Sequence, residues 1–257
     1  MTSEQAVPMI ELSGLTKRYG GGQTVLDSVN LTISKGEFVS FIGPSGCGKS
    51  TALKLISGLA VPTAGTISVD GMTPKNAREI ISFIFQDATL LPWRTVQQNV
   101  GLGLELERVG GARRKEKTSQ LLELVGLQHM ASAYPRELSG GMKMRVSIAR
   151  ALATSPRLLL MDEPFAALDE MSRDRLNEEL LRLRDEQKWT AVFVTHSVAE
   201  AVFLSTRIVV LAPNPGRIHA VLPIELPLPR TAALRDTPEF EARVMQVSHA
   251  LRAALVQ

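Results

Sequence analysis

Apolar residues recur along this chain with two different periods, and the switches between them mark its elements. Val29, Leu31 and Ile33 alternate with polar neighbours, a period of two that predicts a half-buried strand. Ser34-Lys35-Gly36 turns the chain into Phe38-Val39-Ser40-Phe41-Ile42, apolar enough for a buried strand. Ala52-Leu53-Lys54-Leu55-Ile56 has helical spacing, and Gly58 and Pro62-Thr63-Ala64-Gly65 break it. Thr66 to Val69 alternates again and stops at the turn signal Asp70-Gly71; Ile80 to Phe85 reads as a further strand ending at Gln86. From Asp87 to Pro135 the spacing is helical: Val96 to Leu106 forms one segment, Gly110-Gly111 interrupts, and Lys117 to Val125 resumes. Three buried-strand runs follow, Leu158 to Met161, Ala191 to Thr195 and Ile208 to Leu211. Helical patterns separate them, at Ser139 to Ala153, Leu176 to Arg184 and Val198 to Leu204. The tail alternates weakly at Ile218 to Leu222, reads as a closing strand over Ala220 to Leu226, and ends in a helix from Pro238 to about Leu251.

Strands alternating with helices imply a parallel sheet covered on both faces. The early alternating strands add an antiparallel part. The expected class is therefore α/β, with an antiparallel β subdomain interleaved with a parallel core over residues 9–86 and a helical subdomain over 87–150. The rest of the core falls at 151–212 and a C-terminal extension at 213–257, all within one domain spanning 1–257.

Composition narrows this picture only a little. A chain of 257 residues can bury roughly three quarters of its unfolded surface without staples. The net charge of +3 gives no argument for a nucleic-acid partner, and Arg113-Arg114-Lys115 reads as the solvated start of a helix beside Glu116. The single cysteine, Cys47, excludes an intrachain disulfide and fits a reducing compartment. Residues 1–9 show no basic-then-apolar leader pattern. No apolar run approaches the roughly 18 residues that would span a bilayer, so a membrane role must come through a partner.

The chemistry concentrates where elements meet. Gly43-Pro44-Ser45-Gly46-Cys47-Gly48-Lys49-Ser50-Thr51 lies between a strand and a helix, the context that a phosphate-binding loop requires. Gly43, Gly46 and Gly48 let backbone N–H groups turn inward around a phosphate chain, and the new helix presents its free N–H groups to the same anion. Lys49 can reach the β- and γ-phosphates of a nucleotide, and the Ser50 hydroxyl can ligate Mg2+. Cys47 reads as a small side chain whose alkylation would block nucleotide. Leu158-Leu159-Leu160-Met161-Asp162-Glu163-Pro164 puts two carboxylates at the end of a buried strand, where ligands sit in open α/β sheets. There Asp162 can join the magnesium shell and Glu163 can polarise an attacking water.

With Leu138-Ser139-Gly140-Gly141-Met142 added, the chain resembles the nucleotide-binding subunit of ABC transporters. That family has a P-loop NTPase (RecA-like) core with an antiparallel β subdomain and a helical subdomain carrying this signature. The resemblance implies ATP and Mg2+ as cofactors, and an ATP-sandwich homodimer in which Ser139, Gly140 and Gly141 face the γ-phosphate held by the second copy. It further implies that Tyr19 stacks on adenine and that Gln86 touches magnesium and the attacking water. Ala167-Leu168-Asp169 would contact the partner subunit, and His196 would hold the γ-phosphate. Met142 stands where the family usually has glutamine, which leaves the phosphate donors intact. The resemblance runs to about Leu211. Its implied partners are transmembrane permease subunits and, indirectly, an extracytoplasmic solute-binding protein. Its implied place is the cytoplasmic face of the inner membrane.

Looser signals resemble the nitrate, sulfonate and taurine importers: Leu91-Pro92-Trp93-Arg94-Thr95-Val96 with Asn99-Val100, Met142, and Ala212-Pro213-Asn214-Pro215-Gly216-Arg217-Ile218. Trp93 and Arg94 read either as contacts to the permease or as a core tryptophan and a solvated arginine. Within the family, importers of thiamine or riboflavin precursors or of polyamines, and an exporter, stay open. So does a soluble ABC-type ATPase, although the chain has no long coiled-coil insertion. A metabolite kinase leaves the signature and His196 without roles, and Glu163 argues against a non-catalytic scaffold.

Overall fold

In the computed structural model, which describes residues 8–255, the strands read from the sequence form two sheets and the helical segments pack around them. The reading of residues 1–9 falls, for 1–7, outside the described part. The chain opens with strands β1 (Pro8–Arg18), β2 (Thr24–Ser34) and β3 (Phe38–Ile42), helix α1 (Lys49–Ile56), then β4 (Ala64–Val69) and β5 (Ile81–Ile84). Helices α2 (Val96–Val100), α3 (Leu102–Leu106), α4 (Gly111–Leu124) and α5 (Gly140–Leu152) follow. The second half alternates β6 (Leu158–Asp162), α6 (Glu170–Gln187), β7 (Thr190–Val194), α7 (Val198–Leu204) and β8 (Arg207–Ala212). It closes with β9 (Arg217–Pro223) and α8 (Pro238–Leu255).

The small sheet is antiparallel in the order β2-β1-β4. The large one runs β5-β6-β7-β3-β8-β9, parallel except for β9, which returns antiparallel along β8. Its central strands are buried on both sides, and successive residues feed two different cores. Phe38, Ile42, Leu159, Met161, Ala191 and Phe193 pack with the helices α2 and α4–α8. Val39, Phe41, Leu158, Leu160, Val192 and Val194 pack with α1 and the antiparallel sheet. A strand that must please two apolar layers cannot alternate, which explains the continuous runs of the sequence. β7 lies between β6 and β3, so the C-terminal ends of these three strands emerge side by side.

Four elements differ from expectation. The segment Val96 to Leu106 is two short helices with Gly101 as their shared cap, and α4 packs against α2 there: a Cβ on Gly101 would lie 3.2 Å from Thr118 Cγ2. α4 starts at Gly111, six residues before the expected Lys117, and α6 extends well beyond the Leu176 to Arg184 pattern. In both, the added turns are polar and solvated, so no periodicity announced them. The closing strand is β9, ending at Pro223 rather than Leu226; its pairing with Arg207 exhausts the length of β8. Arg113-Arg114-Lys115 does sit in the first turns of α4.

Candidate functional site

The loop after β3 folds around its own lysine. Gly48 caps α1 from a left-handed conformation (φ 96°), which an L side chain rarely adopts. Lys49 is the first residue of the helix and is only 5 % exposed. Its ammonium donates to the carbonyls of Gly43 at 2.8 Å and Pro44 at 2.9 Å. The next residue, Ser50, donates from Oγ to Asp162 Oδ1 at 2.8 Å, tying the loop to the end of β6. Asp162 is buried, and burial pushes its carboxyl above the ordinary range, with Glu163 adding in the same direction and the Ser50 hydroxyl opposing.

Glu163 is held in the left-handed region (φ 49°), a strained place for a residue with a side chain. Its N–H donates to Val194 O of β7 at 3.0 Å, which fixes that turn. The carboxylate reaches His196, with Oε1 2.7 Å from Nε2. His196 comes two residues after β7, so strand adjacency is what brings the Glu163 carboxylate and the histidine together.

These groups converge on one cavity of about 430 Å³. Ser45, Gly46, Gly48, Lys49, Ser50 and Thr51 line one side of it; Gln86, Glu163 and His196 line another. Val25 of β2 completes the wall, a residue the sequence did not single out. Gly43, Pro44 and Cys47 are in the loop but outside this lining. The Cys47 thiol is fully buried, and burial pushes its pKa up. Alkylation of Cys47 therefore requires the loop to open.

The remaining sequence candidates lie elsewhere. Tyr19 follows β1 in an exposed turn, with the Lys17 ammonium 4.9 Å from its ring centre. Ser139 caps α5, accepting from the N–H of Met142 at 3.3 Å, and is exposed together with Gly140. Gly141 packs against the loop after Glu163: a Cβ there would lie 3.1 Å from Ala167 O. Asp169 caps α6 by accepting from Ser172 N at 2.9 Å, and that bond holds its carboxyl below the usual range. None of these five residues lines the cavity. Trp93 is 70 % exposed, so it is no core tryptophan, and Arg94 is no free cation, because it pairs with Glu105 through two hydrogen bonds. Fully buried Asn99 fixes their loop through bonds to Leu91, Arg94 and Thr95.

A close approach ties the tail to the site. Gly216 sits where a Cβ would lie 2.0 Å from Cys47 O and 2.8 Å from Val25 O, and its N–H donates to Val25 O. The β8–β9 hairpin thus presses on the back of the phosphate loop, and only glycine fits there.

Residues 26–166 match the family model described as ABC transporter. An uncharacterised ABC transporter ATP-binding protein of Methanocaldococcus jannaschii is 44 % identical over 241 residues, covering 93 % of this chain and 90 % of that protein. The aliphatic sulfonates import ATP-binding protein of Bacillus cereus is 42 % identical over 240 residues, covering 93 % and 94 %. The bicarbonate transport ATP-binding protein of Synechocystis is 49 % identical over 214 residues, 82 % of this chain but 32 % of that longer protein. Among solved structures, a dimeric ATP-binding cassette in a post-hydrolysis state with ADP and Pi superposes with a TM-score of 0.79. It is 35 % identical and is covered in full by 85 % of this chain.

Proposed function

The chain belongs to the ABC transporter family, and from that premise we propose that it is the ATP-hydrolysing subunit of an importer for a small solute. The observation that carries this reading is the convergence of Lys49, Ser50 and the Glu163–His196 pair on one cavity, with Asp162 bonded to Ser50 just behind its lining, while Ser139 and Gly140 stand exposed outside it. A site with its phosphate cradle and base on one surface and its signature on another calls for a second copy to complete it.

In this reading the loop Gly43 to Thr51 holds the phosphate chain of ATP, with Lys49 leaving its carbonyl partners for the β- and γ-phosphates. Tyr19 takes the adenine. Ser50, Asp162 and Gln86 would hold Mg2+: a hydroxyl and a carboxylate already share a hydrogen bond there, and a hard cation takes oxygen ligands of this kind. When bound, Mg2+ neutralises charge on the phosphates. Glu163 accepts the proton of the attacking water, and His196 steadies both that carboxylate and the γ-phosphate. Ser139, Gly140 and Gly141 approach the γ-phosphate of the second copy, and Asp169 lies on the loop between the two.

Residues 9–86, 87–150, 151–212 and 213–257 act respectively as β subdomain with phosphate loop, helical subdomain, remaining core and C-terminal extension. No described helix is long and apolar enough to cross a membrane. As the importer relatives suggest, the subunit meets the membrane through transmembrane permease partners on the cytoplasmic face, a contact that exposed Trp93 fits. The solute is a small oxyanion, with aliphatic sulfonates, taurine and nitrate the first to screen; the bicarbonate-transport relative adds a fourth.

Steady-state turnover tests the site. Glu163→Gln lowers it by about 100-fold or more while leaving ATP binding intact, as loss of a general base requires; near-normal turnover would sink the assignment. Lys49→Ala instead weakens ATP binding itself. Affinity capture from solubilised membranes tests the importer: a polytopic partner supports it, and recovery of soluble partners alone moves the task to a soluble ABC-type ATPase.

A further inference from the structure

Beside the phosphate cavity lies a smaller one of about 180 Å³, with Glu163 and His196 common to both and with Arg173, Thr195 and Glu200 among its walls. Glu200 is a buried carboxylate on α7, 6 % exposed, for which the reading above has no use. One of its oxygens accepts from Thr195 Oγ1 at 2.6 Å, and that hydroxyl accepts in turn from Ser197 N at 3.0 Å. Both neighbours of His196 are thereby fixed by one carboxylate. The other oxygen lies 3.2 Å from Arg173 Nε, an ion pair by distance whose N–H is not aimed for a hydrogen bond. Arg173 Nη2 donates to Leu168 O at 3.1 Å, in the loop on which Gly141 packs. Contacts thus run without a gap from Gly141 through Ala167 and Leu168 to Arg173, then Glu200, Thr195, His196 and Glu163.

Glu200 is buried while Arg173 is about a third exposed, so removing Arg173 leaves a buried carboxylate without its countercharge. We infer that Arg173 and Glu200 are a positioning couple that locks the loop of residues 165–169 to His196, so that a second copy closing on that loop sets the Glu163–His196 pair. Neither residue touches the phosphate cavity, so both act through others. The inference rests on the ATPase reading.

The test is a double-mutant cycle of Arg173→Gln and Glu200→Gln, each checked for folding by thermal denaturation. Glu200→Gln keeps an acceptor for Thr195, and the double variant leaves no buried charge unpaired. Each single variant loses kcat by about fivefold or more, KM for ATP stays within about twofold, and the double variant is no worse than the poorer single. Losses that multiply in the double variant, or a KM that rises in step, would overturn the couple. A second arm needs no turnover: the ring resonances of His196 move in Arg173→Gln, and the amides of Leu168 and Asp169 move in Glu200→Gln. Silence in either direction refutes the lock. Absent wild-type turnover, with Glu163→Gln changing nothing, would refute the ATPase reading instead, while the resonance arm still decides the couple.

Discussion

Asp162 and Glu163 are neighbours in sequence but are held in different ways. Asp162 closes a regular strand, buried, with a hydroxyl as its partner; Glu163 starts a strained turn with an imidazole as its partner. A buried carboxylate with its pKa raised opposes folding wherever it is ionised. The stability linked to its proton is fully present below the unfolded pKa and is lost as pH rises through the folded one. At neutral pH the fold therefore carries the penalty. Asp162→Asn keeps an acceptor for Ser50 and removes the charge, so it should raise the stability of the ligand-free protein at neutral pH by about 1 kcal/mol. That gain fades in acid as the wild-type carboxyl protonates, and Mg-dependent turnover falls. Urea unfolding of both proteins across pH checks it; equal stability at neutral pH would contradict the assignment of the penalty. At this scale the sequence disclosed the residue types, because phosphate loops and paired carboxylates are local patterns. It was silent on Val25 and gave Gly216 no place at the site, because both reach it by close approach of segments distant in the chain. The left-handed turn at Glu163 was equally hidden, since it depends on a hydrogen bond that its N–H donates to β7.

Elements were legible where burial was strong. β3, β6 and β7 are buried throughout and announced themselves as unbroken apolar runs. The polar ends of α4 and α6 did not, because nothing in a solvated turn distinguishes helix from loop. The tail was the least readable part: β9 pairs with β8 and Phe240, Val247 and Ala254 of α8 join the large core, but the segment between them is held by a buried cation that no local pattern announces. Arg230 donates to the carbonyls of Phe203 at 2.9 Å and Ser205 at 2.7 Å at the end of α7, and to Ile224 O at 3.2 Å. It satisfies carbonyls that a helix end leaves open. Burial pulls its pKa down to about 10, so it stays charged at neutral pH. Arg235 adds a ring contact to Phe203 and an ion pair to Asp174. The extension is thus a brace on α6 and α7, the helices that carry Arg173 and Glu200. Arg230→Met should destabilise the protein by about 3 kcal/mol, through carbonyls left unpaired. A denaturation midpoint unchanged from wild type would show that the extension merely rests on the core.

For the whole molecule the decisive fact is separation. Lys49, Glu163 and His196 share a cavity, whereas the Ser139 cap faces solvent at the start of α5, its hydroxyl engaged only by its own helix. On the proposed reading a single copy binds ATP, and the helix N-terminus that meets the γ-phosphate comes from a second copy. ATP drives closure only by binding the closed pair better than the open one, so the nucleotide and the dimer must appear together. With hydrolysis blocked by Glu163→Gln, MgATP should convert the protein from monomer to dimer in light scattering coupled to size exclusion. EDTA or ADP should leave it monomeric, because the bridging phosphate or its cation is then missing. Lys49→Ala in the same background should abolish the shift by removing the nucleotide. Ser139→Arg should abolish it while leaving ATP bound, since the larger cation obstructs only the surface presented to the other copy. A Glu163→Gln protein that holds ATP yet stays monomeric at high concentration would mean that the exposed signature has some other use. A dimer that forms equally well without nucleotide would mean that ATP is not what closes it.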